Sequence, residues 1–133
     1  MQIVALAGGV GAGKFLRGVD RAFPGELTTV VVNTGDDIDV HGLHVSPDLD
    51  SVCYWLAGLM DRERGWGRAG ETFNAMDAMR TSGAIDAWFN LGDRDLAMRR
   101  DPHEALQRFV PHEPRGIVLG RVEQDVGGAL RAE

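Results

Sequence analysis

The sequence predicts an α/β protein with a three-layer, Rossmann-like arrangement around a mostly parallel sheet, and two observations favour this fold. The first is Ile3–Ala7, a short continuous apolar run of the kind found in strands that are buried on both faces. The second is the order of the next segments: a glycine-rich stretch, a helical pattern, and a second apolar run at Leu27–Val32. A strand, glycine turn, helix and strand in this order open a doubly wound sheet.

Further elements follow from the periodicity of the apolar residues and from the glycines and prolines that interrupt it. They are a helix from about Phe15 that ends at Pro24-Gly25, a helix that begins at Ser46-Pro47 and runs to about Leu59, a helix over residues 72–79 capped by Gly83, a turn at residues 91–95 that leads into a helix interrupted at residues 99–102, and a strand at residues 117–119.

The composition restricts the classes of function. The 133 residues correspond to one domain, and 44% of them are hydrophobic, so a folded core is expected. With 14 Lys and Arg against 20 Asp and Glu, the net charge is −6, which argues against binding to a nucleic-acid backbone. A single cysteine, Cys53, excludes an internal disulfide and disfavours a cysteine-based zinc site. No apolar run reaches the length of a membrane span and no signal peptide is visible, so a cytoplasmic protein is expected.

Residues 8–14 form a glycine-rich segment between the first strand and the first helix. Glycines at such a position let the backbone approach an anion, which the N–H groups of the helix N-terminus then bind. The spacing from Gly8 to Gly13-Lys14 nearly matches a P-loop, but Phe15 replaces the Ser or Thr that holds magnesium there. The pattern favours a phosphate or nucleotide site over a classical NTPase. A tight turn without any ligand is the alternative.

Acidic residues are concentrated after the second strand and at the start of the next helix. Asp36, Asp37 and Asp39 come first, and Asp48 and Asp50 follow. Ligands of open α/β sheets bind at the carboxyl ends of strands, where the glycine segment is also predicted to lie. Carboxylate oxygens suit magnesium, which usually bridges to phosphates. The alternatives are a solvated loop, or Asp48 favouring the helix dipole.

Several other polar residues allow two interpretations each. Asn33 is either a polar contact at the end of the strand or a turn former. Ser46 is a candidate polar contact, although a helix cap is its more ordinary role. Arg94 either pairs with neighbouring carboxylates or binds a phosphate. His41 and His44 have no third ligand at a zinc-like spacing, so a metal role is not expected for them.

An ordered set of motifs over residues 1–97 resembles the 2-phospho-L-lactate transferase family of coenzyme F420 biosynthesis. The individual motifs are short, but their order along the chain is specific. They are Ala7-Gly8-Gly9-Val10-Gly11 with Lys14-Phe15-Leu16, Val31-Val32-Asn33-Thr34-Gly35-Asp36-Asp37, His41-Gly42-Leu43, Ser46-Pro47-Asp48-Leu49-Asp50, Asp61-Arg62 with Arg64-Gly65-Trp66-Gly67, Glu71-Thr72-Phe73, and Trp88-Phe89 with Leu91-Gly92-Asp93-Arg94-Asp95-Leu96-Ala97.

The resemblance implies a magnesium-dependent transferase. Such an enzyme moves a phospholactate-type or phosphoenolpyruvate-type group from a guanosine diphosphate-linked donor to the hydroxyl of a deazaflavin precursor, and GMP leaves. It implies Asp50 as a magnesium ligand, with Asp36 or Asp37 as a second ligand or as the base that steers the hydroxyl. The substrate-binding residues that it implies, together with those from the patterns above, are Gly8, Gly9, Gly11, Lys14, Asn33, Thr34, Ser46, Asp48 and Arg94.

The resemblance covers residues 1–97 as an N-terminal Rossmann-like part and leaves residues 98–133 as a divergent tail. Family members are longer, so the sheet of this chain is expected to be incomplete. An incomplete sheet exposes an edge or a face, which favours a homo-oligomer. Two rival functions remain: a nucleotide- or deazaflavin-binding module without catalysis, and a divergent P-loop NTPase.

Overall fold

The computed structural model describes residues 1–83, 88–98, 122–124 and 130–132. It confirms the predicted α/β fold with a parallel sheet. Two parallel strands are joined by a helix, and a hairpin and three further helices follow. The elements are β1 (Ile3–Ala7), α1 (Gly9–Ala22), β2 (Leu27–Val32), β3 (Ile38–Val40), β4 (Leu43–Val45), α2 (Pro47–Ala57), α3 (Asn74–Thr81), α4 (Asp93–Met98), β5 (Val122–Gln124) and β6 (Leu130–Ala132).

The parallel pair β1–β2 carries the first hydrophobic core on one face. Val30 and Val32 of β2 are buried there against Leu16 of α1 and Val52 of α2. The opposite face of β1 is bare in the described part of the chain, since Val4 is 65% exposed and Leu6 is 83% exposed. This is the open face expected of a short sheet, and the predicted homo-oligomer remains a prediction.

Helix α1 begins earlier than the sequence predicted. The glycines were expected to form a loop and the helix to start near Phe15, whereas α1 starts at Gly9 and Gly8 is its N-cap. Glycine is unfavourable inside a helix by about 1 kcal/mol relative to alanine, which is why the pattern indicated a loop. Packing of α1 on α2 supplies the missing stability.

Gly13 is the point of closest approach between α1 and α2. A β-carbon at Gly13 would lie 2.7 Å from Cδ1 and 2.9 Å from Cβ of Trp55. The Cβ of Trp55 is fixed to its backbone, so it cannot move away without moving α2. The absence of a side chain at residue 13 therefore sets the distance between the two helices.

The substitution Gly13→Ala is expected to lower the free energy of unfolding by about 1–3 kcal/mol, because it overpacks this contact. Gly18→Ala is the matched control on the same helix, since a β-carbon there meets nothing within 4 Å. It should instead stabilise the chain by about 0.5–1 kcal/mol. Chemical denaturation of both variants measures the difference, and two effects of the same sign would contradict this account.

The hairpin β3–β4 was not predicted as strands, because residues 33–39 were interpreted as one loop. Its two-residue turn is His41-Gly42, with φ values of 55° and 73°. Two consecutive positive φ angles define the type I′ turn that matches the twist of a hairpin. The alternating pattern of Ile38–Val40 and Leu43–Val45 around a glycine turn is the signal that identifies it.

A second core joins the hairpin to the helices that follow. Val40 and Val45 of the hairpin pack with Met76 of α3 and with Leu91. The predicted third helix is confirmed as α3. The helix predicted to follow a turn at residues 91–95 is present as α4, but it begins at Asp93, inside the predicted turn. The predicted interruption at residues 99–102 and the predicted strand at residues 117–119 lie outside the described residues. The antiparallel pair β5–β6 was not predicted.

Helices α3 and α4 cap each other. The Asp93 carboxylate of α4 accepts hydrogen bonds from the Thr72 hydroxyl at 2.6 Å and from the backbone N–H of Ala75 at 3.0 Å. In return, the Glu71 carboxylate accepts the backbone N–H of Arg94 at 2.8 Å. The hydrogen bonds to Asp93, led by that from Thr72, lower the pKa of its carboxyl to about 2.

Asp95 of α4 is buried, and its Oδ1 accepts a hydrogen bond from the Tyr54 hydroxyl of α2. This contact ties α4 to the first half of the fold, and no sequence pattern pointed to it. Among the described residues, none of the helices has both the length and the apolar character needed to cross a membrane.

Candidate active site

The carboxyl ends of β1 and β2 bring the glycine segment and the first acidic segment together, as the sequence predicted. Asn33 follows β2 directly, and its backbone N–H donates to the carbonyl of Ala7 at the end of β1 at 2.9 Å. The Asn33 side chain then faces α2, where its Nδ2 donates to Asp48 Oδ2 at 2.9 Å. Its Oδ1 accepts the backbone N–H of Gly35 at 3.0 Å. Asn33 thus joins both strands to the start of α2.

The Asp48 carboxylate lies against the two glycines that precede and begin α1. A β-carbon at Gly9 would lie 2.8 Å from Asp48 Oδ1, and one at Gly8 would lie 3.2 Å from Asp48 Oδ2. Gly9 also has a φ of 57°, which favours glycine at that position. The sequence needs glycine here for close approach, and in this structure the group that approaches is Asp48.

Asp36 is the second carboxylate of this cluster and lies beside Asp48. Burial raises the pKa of the Asp36 carboxyl, and repulsion from the Asp48 carboxylate raises it further. The two groups are close enough that a hydrogen bond between them contributes to the same shift. Two carboxylates in contact repel each other when both are ionised, so this pair favours a cation or a shared proton between them.

Asp37 points away from this pair and contacts the hairpin instead. Its Oδ2 accepts a hydrogen bond from Nε2 of His44 on β4 at 3.2 Å, and its side chain is only 14% exposed. His44 Nδ1 donates to Asp39 Oδ1 at 2.8 Å. The structure therefore separates the two consecutive aspartates that the sequence treated as equivalent. The Asp36 carboxyl lies near Asp48, whereas Asp37 is held by His44.

The position of His44 predicts a small pH dependence of stability. Hydrogen bonds to Asp39 and Asp37 raise the pKa of His44 above its usual 6.5. The contribution of protonated His44 to the free energy of unfolding is fully present below about pH 6.5 and is lost as the pH rises through the raised pKa. The side chain is exposed, so the effect should stay below about 1 kcal/mol. Thermal unfolding of wild type and His44→Gln should differ at pH 6 and converge at pH 9, roughly the limits of this window; a difference that grows with pH would contradict it.

The first half of α2 and its N-cap contain Ser46, Asp50 and Cys53. Ser46 occupies the N-cap position, as predicted, but its side chain makes no capping hydrogen bond, and its carbonyl accepts the Asp50 N–H at 2.9 Å. The Cys53 thiol is buried, and this burial together with the Asp50 carboxylate raises its pKa to about 12. Cys53 is therefore a packing residue and not a nucleophile.

The remaining predicted site residues lie elsewhere or make backbone contacts. The Lys14 ammonium lies over the Trp55 ring, 5.4 Å from its centroid. The Thr34 carbonyl accepts the Asp37 N–H at 3.2 Å, and Gly11 is exposed on α1. The Arg94 guanidinium lies near Gly70, where a β-carbon would be 3.2 Å from Nη1. Because α1 begins at Gly9, no loop wraps a phosphate ahead of Lys14, which argues against the P-loop interpretation.

Comparison with known proteins identifies the family of this chain. The family described as "2-phospho-L-lactate transferase CofD" matches residues 3–112. The chain belongs to the CofD family.

Relatives of this CofD-family chain carry a consistent name. A protein of Streptomyces avermitilis named phosphoenolpyruvate transferase is 54% identical over 97 residues, which are 73% of this chain and 30% of that protein. Proteins of the same name from Nocardia farcinica and Mycobacterium tuberculosis are 46% identical over 110 residues and 41% identical over 124 residues, covering 83% and 84% of this chain. They match over 33% and 38% of their own lengths, so the chain spans about a third of these relatives.

The donor set of this CofD-family chain fits magnesium in part. Asp36 and Asp48 supply hard carboxylate oxygens near enough to repel each other, and Asn33 lies at hydrogen-bonding distance of Asp48. Within the residues that the structure describes, no group of three His, Cys, Asp or Glu side chains is placed to hold a metal ion. Magnesium commonly uses one or two carboxylates and completes its shell with waters and phosphates, so a pair is sufficient.

Proposed function

We propose that this chain forms the acceptor side of a transferase in coenzyme F420 biosynthesis. The group transferred is of the phosphoenolpyruvate or 2-phospholactate type, the donor is guanosine diphosphate-linked, and the acceptor is the hydroxyl of the deazaflavin precursor Fo. Membership in the CofD family and the names of the relatives support the proposal. The observation that carries it is the Asp48 carboxylate, which Asn33 holds by a hydrogen bond against Gly8 and Gly9, with Asp36 near enough to repel it.

In the proposed reaction, the hydroxyl oxygen of Fo forms a bond to the phosphorus that bears the transferred group. The bond from that phosphorus to the bridging oxygen of the diphosphate breaks, and GMP leaves. The hydroxyl proton passes to a carboxylate, for which Asp36 is the candidate because it is exposed and its pKa is raised. Asp37 is a weaker candidate, since His44 already engages it.

Magnesium would be held at this edge of the sheet by Asp48, with Asp50 as the further ligand that the family resemblance implies, and Asp36 would then accept the proton and not bind the metal. When bound, it neutralises charge on the diphosphate. The chain's own residues do the rest. Asn33 fixes the Asp48 carboxylate by a hydrogen bond, and Gly8 and Gly9 leave room for that carboxylate or for a ligand in its place.

The test is binding of Fo to the purified chain, followed by the fluorescence of the deazaflavin with and without magnesium and GDP. Saturable micromolar binding, about −8 kcal/mol, is expected. Asp36→Ala should weaken binding, whereas Lys14→Ala should not, because Lys14 lies over Trp55. A folded chain that binds no Fo would overturn the proposal. Binding without turnover would favour the rival function of a deazaflavin-binding module.

A further inference from the structure

His44 contacts two carboxylates although its ring is mostly outside the core. Nε2 lies 3.2 Å from Asp37 Oδ2 and Nδ1 lies 2.8 Å from Asp39 Oδ1. The His44 side chain is 57% exposed, so apolar burial does not hold it in place. Its orientation is set by these two polar contacts, one on each ring nitrogen.

These contacts link the segment that contains Asp36 to the strand that precedes Asp48. Asp37 follows Asp36 directly, in a turn closed by its own N–H to the Thr34 carbonyl at 3.2 Å. His44 lies in β4, which ends at Val45, and α2 with Asp48 begins two residues later. The His44–Asp37 contact thus bridges the end of the first segment and the start of the second.

The two hydrogen bonds of His44 oppose the repulsion within this cluster. Asp36, Asp37, Asp39 and Asp48 place four carboxylates in these two segments, and both Asp48 and Asp37 act on Asp36. Without a cation between the segments, repulsion would favour a wider separation of Asp36 from Asp48. His44 opposes that separation, because its Nε2 hydrogen-bonds Asp37, the residue next to Asp36.

We propose that His44 is a positioning residue that holds the Asp36 segment against the strand leading to Asp48, and so fixes the two site carboxylates relative to each other. The inference rests on the proposed function, in which Asp36 receives the acceptor hydroxyl. His44 itself touches neither Asp36 nor the acceptor. Its effect on the ligand must therefore pass through Asp36.

The experiment measures the affinity of the chain for Fo, in the presence of magnesium, across a double-mutant cycle of His44→Gln and Asp36→Asn. His44→Gln should weaken Fo binding by about tenfold in the wild-type background and leave it unchanged in Asp36→Asn. His44→Arg keeps a cationic donor for both carboxylates and should restore the affinity to within about threefold. His41→Gln is the control, because His41 donates to the Phe89 carbonyl at 2.9 Å and not to an aspartate.

A second ligand separates positioning from a general loss of structure. An analogue of Fo in which the accepting hydroxyl is replaced by hydrogen should bind wild type and His44→Gln equally. Equal losses for both ligands, or a loss that persists in Asp36→Asn, would overturn the inference. Unchanged Fo binding by His44→Gln would overturn it and leave the proposed function standing. Failure of the folded wild-type chain to bind Fo would overturn both.

Discussion

Replacing Met76 by alanine should lower the free energy of unfolding by about 2–5 kcal/mol. Met76 is 0% exposed and contributes to the core that joins the hairpin to α3 and to Leu91. Truncation removes its buried apolar area and leaves a cavity, since the surrounding strands and helices cannot fully collapse into the space. Denaturation by urea, followed by circular dichroism, measures the change.

Met79→Ala is the matched control, because Met79 lies one turn further along α3 and is only partly buried against the same core. Its loss should be clearly smaller than that of Met76→Ala. Equal effects would show that the hairpin core does not close around Met76 as described. A changed slope of the denaturation curve would indicate that the denatured state differs as well.

Replacing Asp48 by asparagine should weaken magnesium-dependent Fo binding by at least about tenfold, the loss typical when support for a metal site is removed. The same change should lower the pKa of Asp36, because the Asp48 carboxylate is a main cause of the raised value. The free energy of unfolding of the ligand-free chain should change by less than about 1 kcal/mol, because the relief of repulsion with Asp36 offsets the loss of a favourable charge in the first turn of α2. Asp48→Asn therefore separates binding from folding.

Asp20→Asn is the control for this substitution, because it removes the same charge from an exposed position near the end of α1. It should alter neither Fo binding nor the pKa of Asp36. Carboxyl chemical shifts recorded against pH report the Asp36 pKa, and the deazaflavin fluorescence reports binding. If Asp48→Asn bound Fo as well as wild type in magnesium, Asp48 would have no part in the site.

The parts of the fold with strong periodicity were predictable. The apolar run of β1, the β-branched run of β2 and the Ser46-Pro47 start of α2 were identified from residue types alone. The first helix was predicted too short, because glycine propensity indicated a loop where packing against Trp55 sustains a helix. The hairpin was not predicted because the closely spaced aspartates indicated a loop, although His41-Gly42 is typical of a hairpin turn.

The sequence predicted which segments form the site, but not which of their side chains are in contact. The topology placed the glycines and the first aspartates at one sheet edge, and the structure does bring Gly9, Asn33, Asp36 and Asp48 together. Spacing could not reveal that Asp36 and Asp37 face different partners, because consecutive loop residues have no fixed direction. The predicted ligand contact of Lys14 stays a prediction, and in the structure the Lys14 ammonium lies over the Trp55 ring. The roles of Asp50, Thr34, Ser46 and Arg94 remain predictions.

The reciprocal caps of α3 and α4 have a consequence for folding dynamics. The first turn of each helix is completed by a carboxylate that belongs to the other segment, Asp93 for α3 and Glu71 for α4. Neither helix can keep its N-terminal N–H groups bonded once the other has detached, so α3 and α4 should open as one cooperative unit. Native-state hydrogen exchange should give the amides of Ala75 and Arg94 the same opening free energy, although they lie 19 positions apart in the sequence.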